Sequence, residues 1–321
     1  MSDLPRRIDI VEEGPREGFQ IEQNPIPTAR KIALIDALSQ TGVKHIQTVS
    51  FVNPKRVPGM ADAEAVVSGI TRVPGVAYSA LWFNERGLRQ ALAAGFLEVE
   101  GKITLQPSDA FLQSNLNRTP EQHIATIHAL IKTCKTIGVP VCRASIGTAF
   151  GCNFQGDIPT ETIVRLAGDI LDIAAEYELT METISLADTM AWGTPESVKR
   201  TIGAVRDKFP DVRLALHLHD TRGLGIANAY AGLEMGIDRF DSSIAGLGGC
   251  PFAKHAGAAG NVATEDLVFL CEEMGIATGI DLEAMIDAAR LAESVVGHPV
   301  PGCVGKGGSL SAIRKRLSAA A

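Results

Sequence analysis

The stretch RLALHLHDTRGLGIANAYAGLEMGIDRFDSSI, residues 213–244, contains the structural unit that repeats along this chain. A short apolar run at 213–218 predicts a β-strand, a helical pattern follows at 223–236, and a second strand is predicted at 239–244. Gly236 stands where a helix would end. Two strands joined by a crossover helix lie parallel in one sheet, so this stretch predicts a β–α–β unit.

The same alternation extends over nearly the whole chain. Strands are predicted at 8–11, 45–50, 76–81, 97–104, 139–145, 183–186, 213–218 and 239–244, with helices at 28–41, 61–70, 84–94, 120–137, 159–178, 195–208 and 223–236. Eight such strands predict an α/β fold in which they close into a (β/α)8 TIM barrel. An open doubly wound sheet is the alternative. The Gly-rich dinucleotide-binding turn expected after its first strand is missing, because residues 12–18 read EEGPREG.

Two further helical patterns follow the last strand, at 264–275 and 281–296, so the barrel is expected to carry extra C-terminal helices. A Gly/Pro-rich and then basic segment, 297–321, is expected to be a flexible tail. Because barrels of this kind often exceed about 250 residues, we interpret residues 1–321 as a single catalytic barrel domain.

Composition and charge exclude several functional classes. Hydrophobic residues make up 45% of the chain, enough for a large core, and the formal net charge of -7 disfavours a nucleic-acid-binding protein. No apolar run approaches the roughly 18 residues needed to cross a bilayer, and the amino terminus lacks a secretory signal. Six scattered cysteines without a CxxC pair are typical of reduced thiols. We therefore expect a cytoplasmic protein that binds neither nucleic acid nor membranes.

Barrel enzymes carry their chemistry on the loops that follow the carboxyl ends of the strands. Several polar residues of this sequence are predicted to lie there and to converge. They are Arg16 and Glu17 after the first strand, Asp188 after the sixth, His217 and His219 at the end of the seventh, and residues 246–261 after the eighth.

The pair His217 and His219 indicates a metal site. Residues two apart on a strand point to the same side, so both imidazoles can face one ion in the barrel mouth. A packed or surface histidine pair is the alternative. With a carboxylate from Glu17 and an amide oxygen from Asn261, the ligand set would be two nitrogens and two oxygens. Such a set suits Mg²⁺ or Mn²⁺, with Zn²⁺ or Co²⁺ also open.

Two further segments carry candidate catalytic groups. Arg16 can supply a fixed planar cation to an oxyanion while Glu17 holds the metal, although a solvated turn would have the same composition. The segment GLGGCPF, 246–252, joins flexible glycines to Cys250. It is interpreted as a mobile lid with a reactive thiol, and a tight turn with an incidental cysteine is the alternative.

Six ordered motifs spanning nearly the whole chain resemble those of the hydroxymethylglutaryl-CoA lyases, which belong to the DRE-TIM metallolyase superfamily. The motifs are GPREGFQ at 14–20, SFVNPKRVPGM at 50–60, ISLADTMAWGTP at 184–195, HLHDTRG at 217–223, AGLGGCPFA at 245–253 and GNVATEDLV at 260–268. Six motifs in order are far more specific than any one of them.

This resemblance implies a divalent-metal-dependent lyase that cleaves a 3-hydroxy-3-methyl acyl-CoA into acetyl-CoA and a keto acid. The implied metal ligands are Glu17, His217, His219 and Asn261. In the implied catalytic set, Arg16 steadies the thioester enolate and Cys250 protonates it, and the set also includes His217 and Asp188. The implied substrate-binding set is Gln47, Asn53, Ser185 and Arg222. A homodimer is also expected, since dimers are common among such proteins.

The sequence departs from the family pattern at three site positions. Glu17 stands where these lyases usually carry Asp, Gln47 where they carry Glu, and Arg222 where many have Tyr. Hydroxymethylglutaryl-CoA is the leading substrate, and citramalyl-CoA or an isoprenoid-extended glutaryl-CoA are alternatives. Two other functions stay open: an acyl-CoA condensing transferase, and a non-catalytic acyl-CoA binder on a degenerate barrel.

Overall fold

The computed structural model describes residues 4–22, 24–249 and 260–319. Eight parallel strands form one sheet in the order β3-β2-β1-β8-β7-β6-β5-β4. The strands are β1 (Asp9–Glu12), β2 (His45–Phe51), β3 (Ala77–Trp82), β4 (Gly101–Leu105), β5 (Val141–Ile146), β6 (Thr183–Asp188), β7 (Leu214–Leu218) and β8 (Arg239–Ser242). The predicted (β/α)8 barrel is thereby confirmed.

The sheet curls until its two outer strands approach each other. Between them lies one isolated parallel bridge, Ser79 to Glu98, and the Glu98 amide donates to the Tyr78 carbonyl at 2.7 Å. The sequence predicts one strand over 97–104, but β4 begins only at Gly101. Pairing between β3 and β4 is therefore confined to this bridge, whereas the other neighbouring strands share ladders.

Helices cover the outside of the sheet. They are α1 (Gly14–Ile21), α2 (Thr28–Ser39), α3 (Ala63–Gly69), α4 (Glu85–Ala93), α5 (Asp109–Leu116), α6 (Pro120–Ile137), α7 (Thr160–Glu176), α8 (Pro195–Lys208), α9 (Gly225–Glu234), α10 (Thr264–Glu273), α11 (Leu282–Val296), α12 (Val304–Gly307) and α13 (Leu310–Ala319). Helices α1, α5, α12 and α13 are not predicted by the sequence patterns. Among the described residues, no helix combines the length and apolar character that a bilayer crossing requires.

Strand register determines which side chains face the helices and which face the barrel interior. Leu216 pairs with Phe240, and both are fully buried on the helix side. The next pair, His217 with Asp241, therefore points to the opposite side, into the barrel. Val11 pairs with Asp241 and also faces the interior. The outer side of this sheet is thus apolar, and its inner side carries polar groups.

The C-terminal segment differs from the flexible tail expected at 297–321, because α12 and α13 occupy much of it. Arg314 on α13 donates to both carboxylate oxygens of Glu273 at 2.8 Å. Ser309, just before α13, donates to Glu283. Most glycines and prolines that predicted a tail lie in the turns around these helices, whereas Gly305 and Gly307 lie within α12. The assignment of 1–321 to one domain stays a prediction.

An ion pair between a buried lysine and a partly buried aspartate fixes the loop after β2 against α2 and α1. Lys31 is 5% exposed, and its Nζ donates to Asp62 Oδ1 and to the Gly59 carbonyl, each at 2.6 Å. Asp62 Oδ2 accepts from Thr28 Oγ1 at 2.7 Å. The Lys31 ammonium also lies 6.0 Å from the centre of the Phe19 ring on α1. This pair therefore supports the helix that carries Arg16 and Glu17.

We expect Asp62→Ala to lower the free energy of unfolding by about 2 kcal/mol, because it leaves the Lys31 ammonium buried without its counterion. Urea unfolding followed by circular dichroism measures this. The matched control is Glu85→Ala, which breaks a pair with Arg89 whose side chains are 53% and 64% exposed. It should cost less than about 1 kcal/mol. Equal losses in the two variants would contradict the interpretation.

Candidate active site

Arg16 lies in the first turns of α1 and is held by three acceptors. Its Nη1 donates to Glu17 Oε1 at 2.6 Å and its Nη2 to Glu13 Oε2 at 2.7 Å. Its Nε donates to Gln47 Oε1 on β2. The residue is only 8% exposed. These bonds use three of the five guanidinium N–H groups, so the cation has a fixed orientation and keeps two donors for another ligand.

The two predicted histidines meet the first-loop carboxylate at the carboxyl end of the barrel. The Nε2 atoms of His217 and His219 lie 3.1 Å apart. Each is 3.9 Å from one oxygen of Glu17: His217 from Oε1 and His219 from Oε2. One ligand atom from each of the three residues falls within 4.8 Å of the others. The strand spacing therefore brings these side chains to one point, as the sequence predicts.

Asn261 completes this cluster from the segment after β8. Its Nδ2 donates to Glu17 Oε2 and, at 3.2 Å, to the Leu247 carbonyl. Its Oδ1 is buried and has no hydrogen-bond partner within the part of the chain that the structure describes. Asn261 also forms an isolated antiparallel bridge with His219, which fixes its backbone beside β7.

These donors fit a divalent cation. A buried amide oxygen without a partner is costly unless a ligand satisfies it, and the side chain that carries this oxygen contacts the Glu17 carboxylate through Nδ2. Burial alone would raise the pKa of Glu17, but Arg16, His217 and His219 lower this pKa well below its usual range. Glu17 is therefore anionic, which is the state that a metal ligand requires.

The other imidazole nitrogen of His217 faces two carboxylates. Nδ1 lies 3.4 Å from both Asp241 Oδ2 and Glu13 Oε2. Burial lowers the pKa of His217, but these two carboxylates and Glu17 outweigh burial and raise it to about 10. For His219, burial and the neighbouring His217 lower the pKa to about 4. A carboxylate partner on Nδ1 orients the ring so that Nε2 points at the cluster, a common arrangement for metal-binding histidines.

A fully buried carboxylate, Glu12, joins the loop after β1 to the segment after β8. Its Oε1 accepts from the backbone amides of Gly14 at 2.7 Å and Ile244 at 2.8 Å, and its Oε2 accepts from Thr264 Oγ1 at 2.5 Å. Burial raises its pKa to about 7 despite these bonds. Glu12 thereby fixes the start of α1, which carries Arg16, relative to the segment that carries Asn261.

Asp188 and Arg222 stabilise the loop after β6. The two oxygens of Asp188 accept from the backbone amides of Trp192 at 2.8 Å and Gly193 at 3.0 Å, and burial raises its pKa to about 6. Arg222 is exposed and its Nη1 donates to the carbonyls of Met190, at 2.7 Å, and of the next residue, at 3.0 Å. The catalytic role of Asp188 stays a prediction, because this geometry assigns its carboxylate to the loop.

The remaining predicted site residues have different surroundings. Ser185 lies on β6, and its Oγ is buried without a hydrogen-bond partner in the described ranges. Asn53 is exposed, and its Oδ1 accepts from the Lys55 amide at 3.0 Å. Cys250 lies outside the described residues. The substrate-binding roles of Ser185 and Asn53 therefore stay predictions.

The sequence interpretation misses Asp241 and gives Glu13 no role, although both contact His217. A usable signal is present at 239–242, where charged side chains alternate with Phe240 and Ser242. An aspartate facing the interior of a buried strand needs a charged or hydrogen-bonded partner. The histidine of the neighbouring strand is that partner, and the register that pairs them is visible only in the structure.

Comparisons with known proteins agree with this geometry. The HMGL-like family model matches residues 7–292. The mitochondrial hydroxymethylglutaryl-CoA lyase of Pongo abelii is 41% identical over 290 residues, covering 90% of this chain and 86% of that protein. The hydroxymethylglutaryl-CoA lyase YngG of Bacillus subtilis is 38% identical over 297 residues, covering 92% and 96%.

Solved structures give the same result. The hydroxymethylglutaryl-CoA lyase of Pseudomonas aeruginosa superposes with a TM-score of 0.86 at 39% identity, covering 95% of this chain and 98% of that one. The HMG-CoA lyase of Acinetobacter baumannii, in complex with coenzyme A and 3-methylmalate, has a TM-score of 0.83 at 36% identity, covering 95% and 96%. The chain therefore belongs to the hydroxymethylglutaryl-CoA lyase family of carbon–carbon lyases.

Proposed function

We propose that this protein cleaves a 3-hydroxy-3-methyl acyl-CoA into acetyl-CoA and a keto acid, with hydroxymethylglutaryl-CoA as the leading substrate. One observation carries the proposal: Glu17, His217, His219 and Asn261 converge beside a fixed guanidinium at the end of the barrel where such enzymes act. Relatives with this fold are named as lyases for that thioester, and one of them is bound to coenzyme A.

We propose that Mg²⁺ or Mn²⁺ is held by the Glu17 carboxylate, the Nε2 atoms of His217 and His219, and Asn261 Oδ1. A mixed set of nitrogen and oxygen ligands suits these ions, and Zn²⁺ or Co²⁺ are the alternatives. When bound, the ion supplies Lewis-acid charge for the hydroxyl and carbonyl oxygens of the substrate. The unpartnered Asn261 oxygen supports this assignment.

The cleavage requires three events at the substrate. The C3 hydroxyl gives its proton to a general base and becomes the carbonyl of the keto acid, the C2–C3 bond breaks, and its electron pair stays on the thioester as an enolate. Protonation of C2 then gives acetyl-CoA. Arg16, with two N–H groups free, would stabilise the enolate oxygen, and Cys250 is proposed to donate the proton to C2.

Two departures from the family pattern, Glu17 in place of Asp and Gln47 in place of Glu, affect which substrate the site accepts. The Gln47 amide oxygen accepts from Arg16, so it keeps the acceptor function of a carboxylate but lacks its charge. Glu17 supplies a carboxylate one methylene longer than Asp. We therefore keep citramalyl-CoA and an isoprenoid-extended glutaryl-CoA as alternative substrates. A homodimer and a cytoplasmic location, both expected from the sequence, stay predictions.

Purified protein supplied with Mg²⁺ or Mn²⁺ should release acetyl-CoA from the thioester, and excess chelator should abolish this release because the enolate loses its charge stabilisation. His217→Ala should reduce kcat by at least about 100-fold while circular dichroism shows an intact fold. His128→Ala is the matched control, since that histidine contacts Tyr177 on the outer side. It should keep activity. Full activity in excess chelator would rule out the metal-dependent mechanism.

Asp241→Asn should weaken Mn²⁺ binding by about 10-fold to 100-fold, because an amide orients the His217 ring less firmly and lowers its basicity. Electron paramagnetic resonance of free Mn²⁺ measures the dissociation constant directly. Asp238→Asn, at an exposed ion pair with Arg213, is the matched control and should bind normally. Equal Mn²⁺ affinity in all three proteins would show that Asp241 has no positioning role.

Glu17→Asp should lower kcat/KM for the native thioester by at least about 10-fold, because the shorter carboxylate cannot reach Arg16, Asn261 and the ion together. Adding Gln47→Glu should restore activity toward hydroxymethylglutaryl-CoA in particular. A panel of about a dozen 3-hydroxy acyl-CoA thioesters, assayed for acetyl-CoA, tests both statements. Higher activity of Glu17→Asp on every thioester would contradict the view that Glu17 and Gln47 are adapted to each other.

A further inference from the structure

A second group of charged side chains lies at the amino ends of the strands, opposite the candidate active site. Asp9 pairs with Arg239, and two residues further along the same strands Val11 pairs with Asp241. Since residues two apart on a strand share a side, Arg239 faces the barrel interior as Asp241 does. Val11 also pairs with His45, so the His45 imidazole faces the interior at the level of Val11 and Asp241.

These side chains surround a cavity of about 260 Å³ at this end of the barrel. Its charged and titratable lining comprises Arg7, Asp9, Lys44, His45, Arg143 and Arg239. Four of these six residues are permanent cations and one is a carboxylate. Such an excess is notable in a chain whose formal net charge is -7.

The cations of this cavity are incompletely neutralised. Asp9, the lining carboxylate, is shared with Arg213 at 3.4 Å and with Arg7 at 3.9 Å. Arg143 Nε lies 2.8 Å from Glu100 Oε2, but the N–H is not directed at that oxygen and has no hydrogen-bond acceptor in the described part of the chain.

Arg239 is partly buried and, among the described residues, unpaired, whereas Lys44 of the same lining is exposed to solvent. Arg239 makes no hydrogen bond or ion pair with any residue in the ranges 4–22, 24–249 and 260–319. Burial and the neighbouring Arg143 lower the pKa of Arg239 although Asp241 and Asp9 act in the opposite direction. Burial, with Arg143 and Arg239, lowers the pKa of His45 to about 4. Since His45 is neutral and bonded to Ser79 at 2.7 Å, the unmet charge belongs to the arginines.

We propose that this cavity binds a small oxyanion carrying two negative charges, held by Arg239 and Arg143. Guanidinium groups bind phosphate and carboxylate oxygens through paired N–H donors, and such charge-assisted bonds are about twice as strong as neutral ones. The ligand is an inorganic phosphate, a phosphomonoester or a short dicarboxylate, because a cavity of this size is below the usual range for larger ligands.

This site is distinct from the candidate metal centre. Asp241 separates the two along β8, with its carboxylate directed at His217 and Arg239 two residues nearer the amino end. A substrate bound at the carboxyl ends of the strands therefore does not use the Arg239 guanidinium. The oxyanion site also does not depend on the lyase activity proposed above.

The test is isothermal titration of the full-length, Mg²⁺-supplied protein with inorganic phosphate and, separately, with succinate, at constant ionic strength maintained with KCl. We expect saturable binding of at least one anion, and the stronger of the two identifies the ligand class. Arg239→Gln should weaken that binding by at least about 10-fold. Arg239→Lys keeps the charge but loses the paired donors, so its affinity should lie between that of the unaltered protein and that of Arg239→Gln.

Arg165→Gln is the control, because Arg165 lies on α7, is exposed and pairs with Asp169 away from the cavity. It should bind the anion as the unaltered protein does. Thermal unfolding verifies that each variant folds, and acetyl-CoA release should be unchanged in Arg239→Gln, which separates this proposal from the lyase assignment. Lack of saturable binding by both anions, or equal affinity in Arg239→Gln, would overturn the proposal.

Discussion

The candidate site depends on mutual neutralisation of buried charges. Glu13, Glu17 and Asp241 bring three carboxylates to the carboxyl end of the barrel, and each would be costly to bury alone. Arg16 and His217 lie among them, and every charged group in the cluster contacts one of opposite sign. Removing one partner would leave another charge without compensation. The cluster therefore fixes its own geometry before any substrate or ion arrives.

The division between the two sides of the sheet explains how such a cluster can exist inside a stable fold. Side chains such as Leu216 and Phe240 are fully buried against the helices, so the apolar core of this protein lies mainly outside the ring of strands. The barrel interior does not have to form the apolar core, so it can carry polar groups along its length. Asp241 and Arg239, on one strand, show the result: one charged group serves each end of the barrel.

Much of the fold follows from the sequence, because alternation of short apolar runs with amphipathic helices is a local property. All eight strands and the helices between them lie close to their predicted positions. Helix α1 is missed because Gly14 and Pro15 are typical of turns, although proline is also favoured in the first turn of a helix. The convergence of Glu17 with Asn261, 244 positions later, is predicted from strand order. The partners of His217 Nδ1 are not, since Asp241 reaches it through a register that no local pattern specifies.

The exchange at positions 17 and 47 changes what the cluster can do with protons. A Gln47 amide can orient Arg16 but cannot accept a proton at neutral pH, whereas the glutamate usual at this position can. Glu17 does not replace it as a base, because Arg16 and both histidines lower its pKa far below the working range. The role of Glu17 is to place a permanent negative charge beside Asn261. Neither position 17 nor position 47 therefore supplies a base, and the departure from the family pattern is chemical as well as geometric.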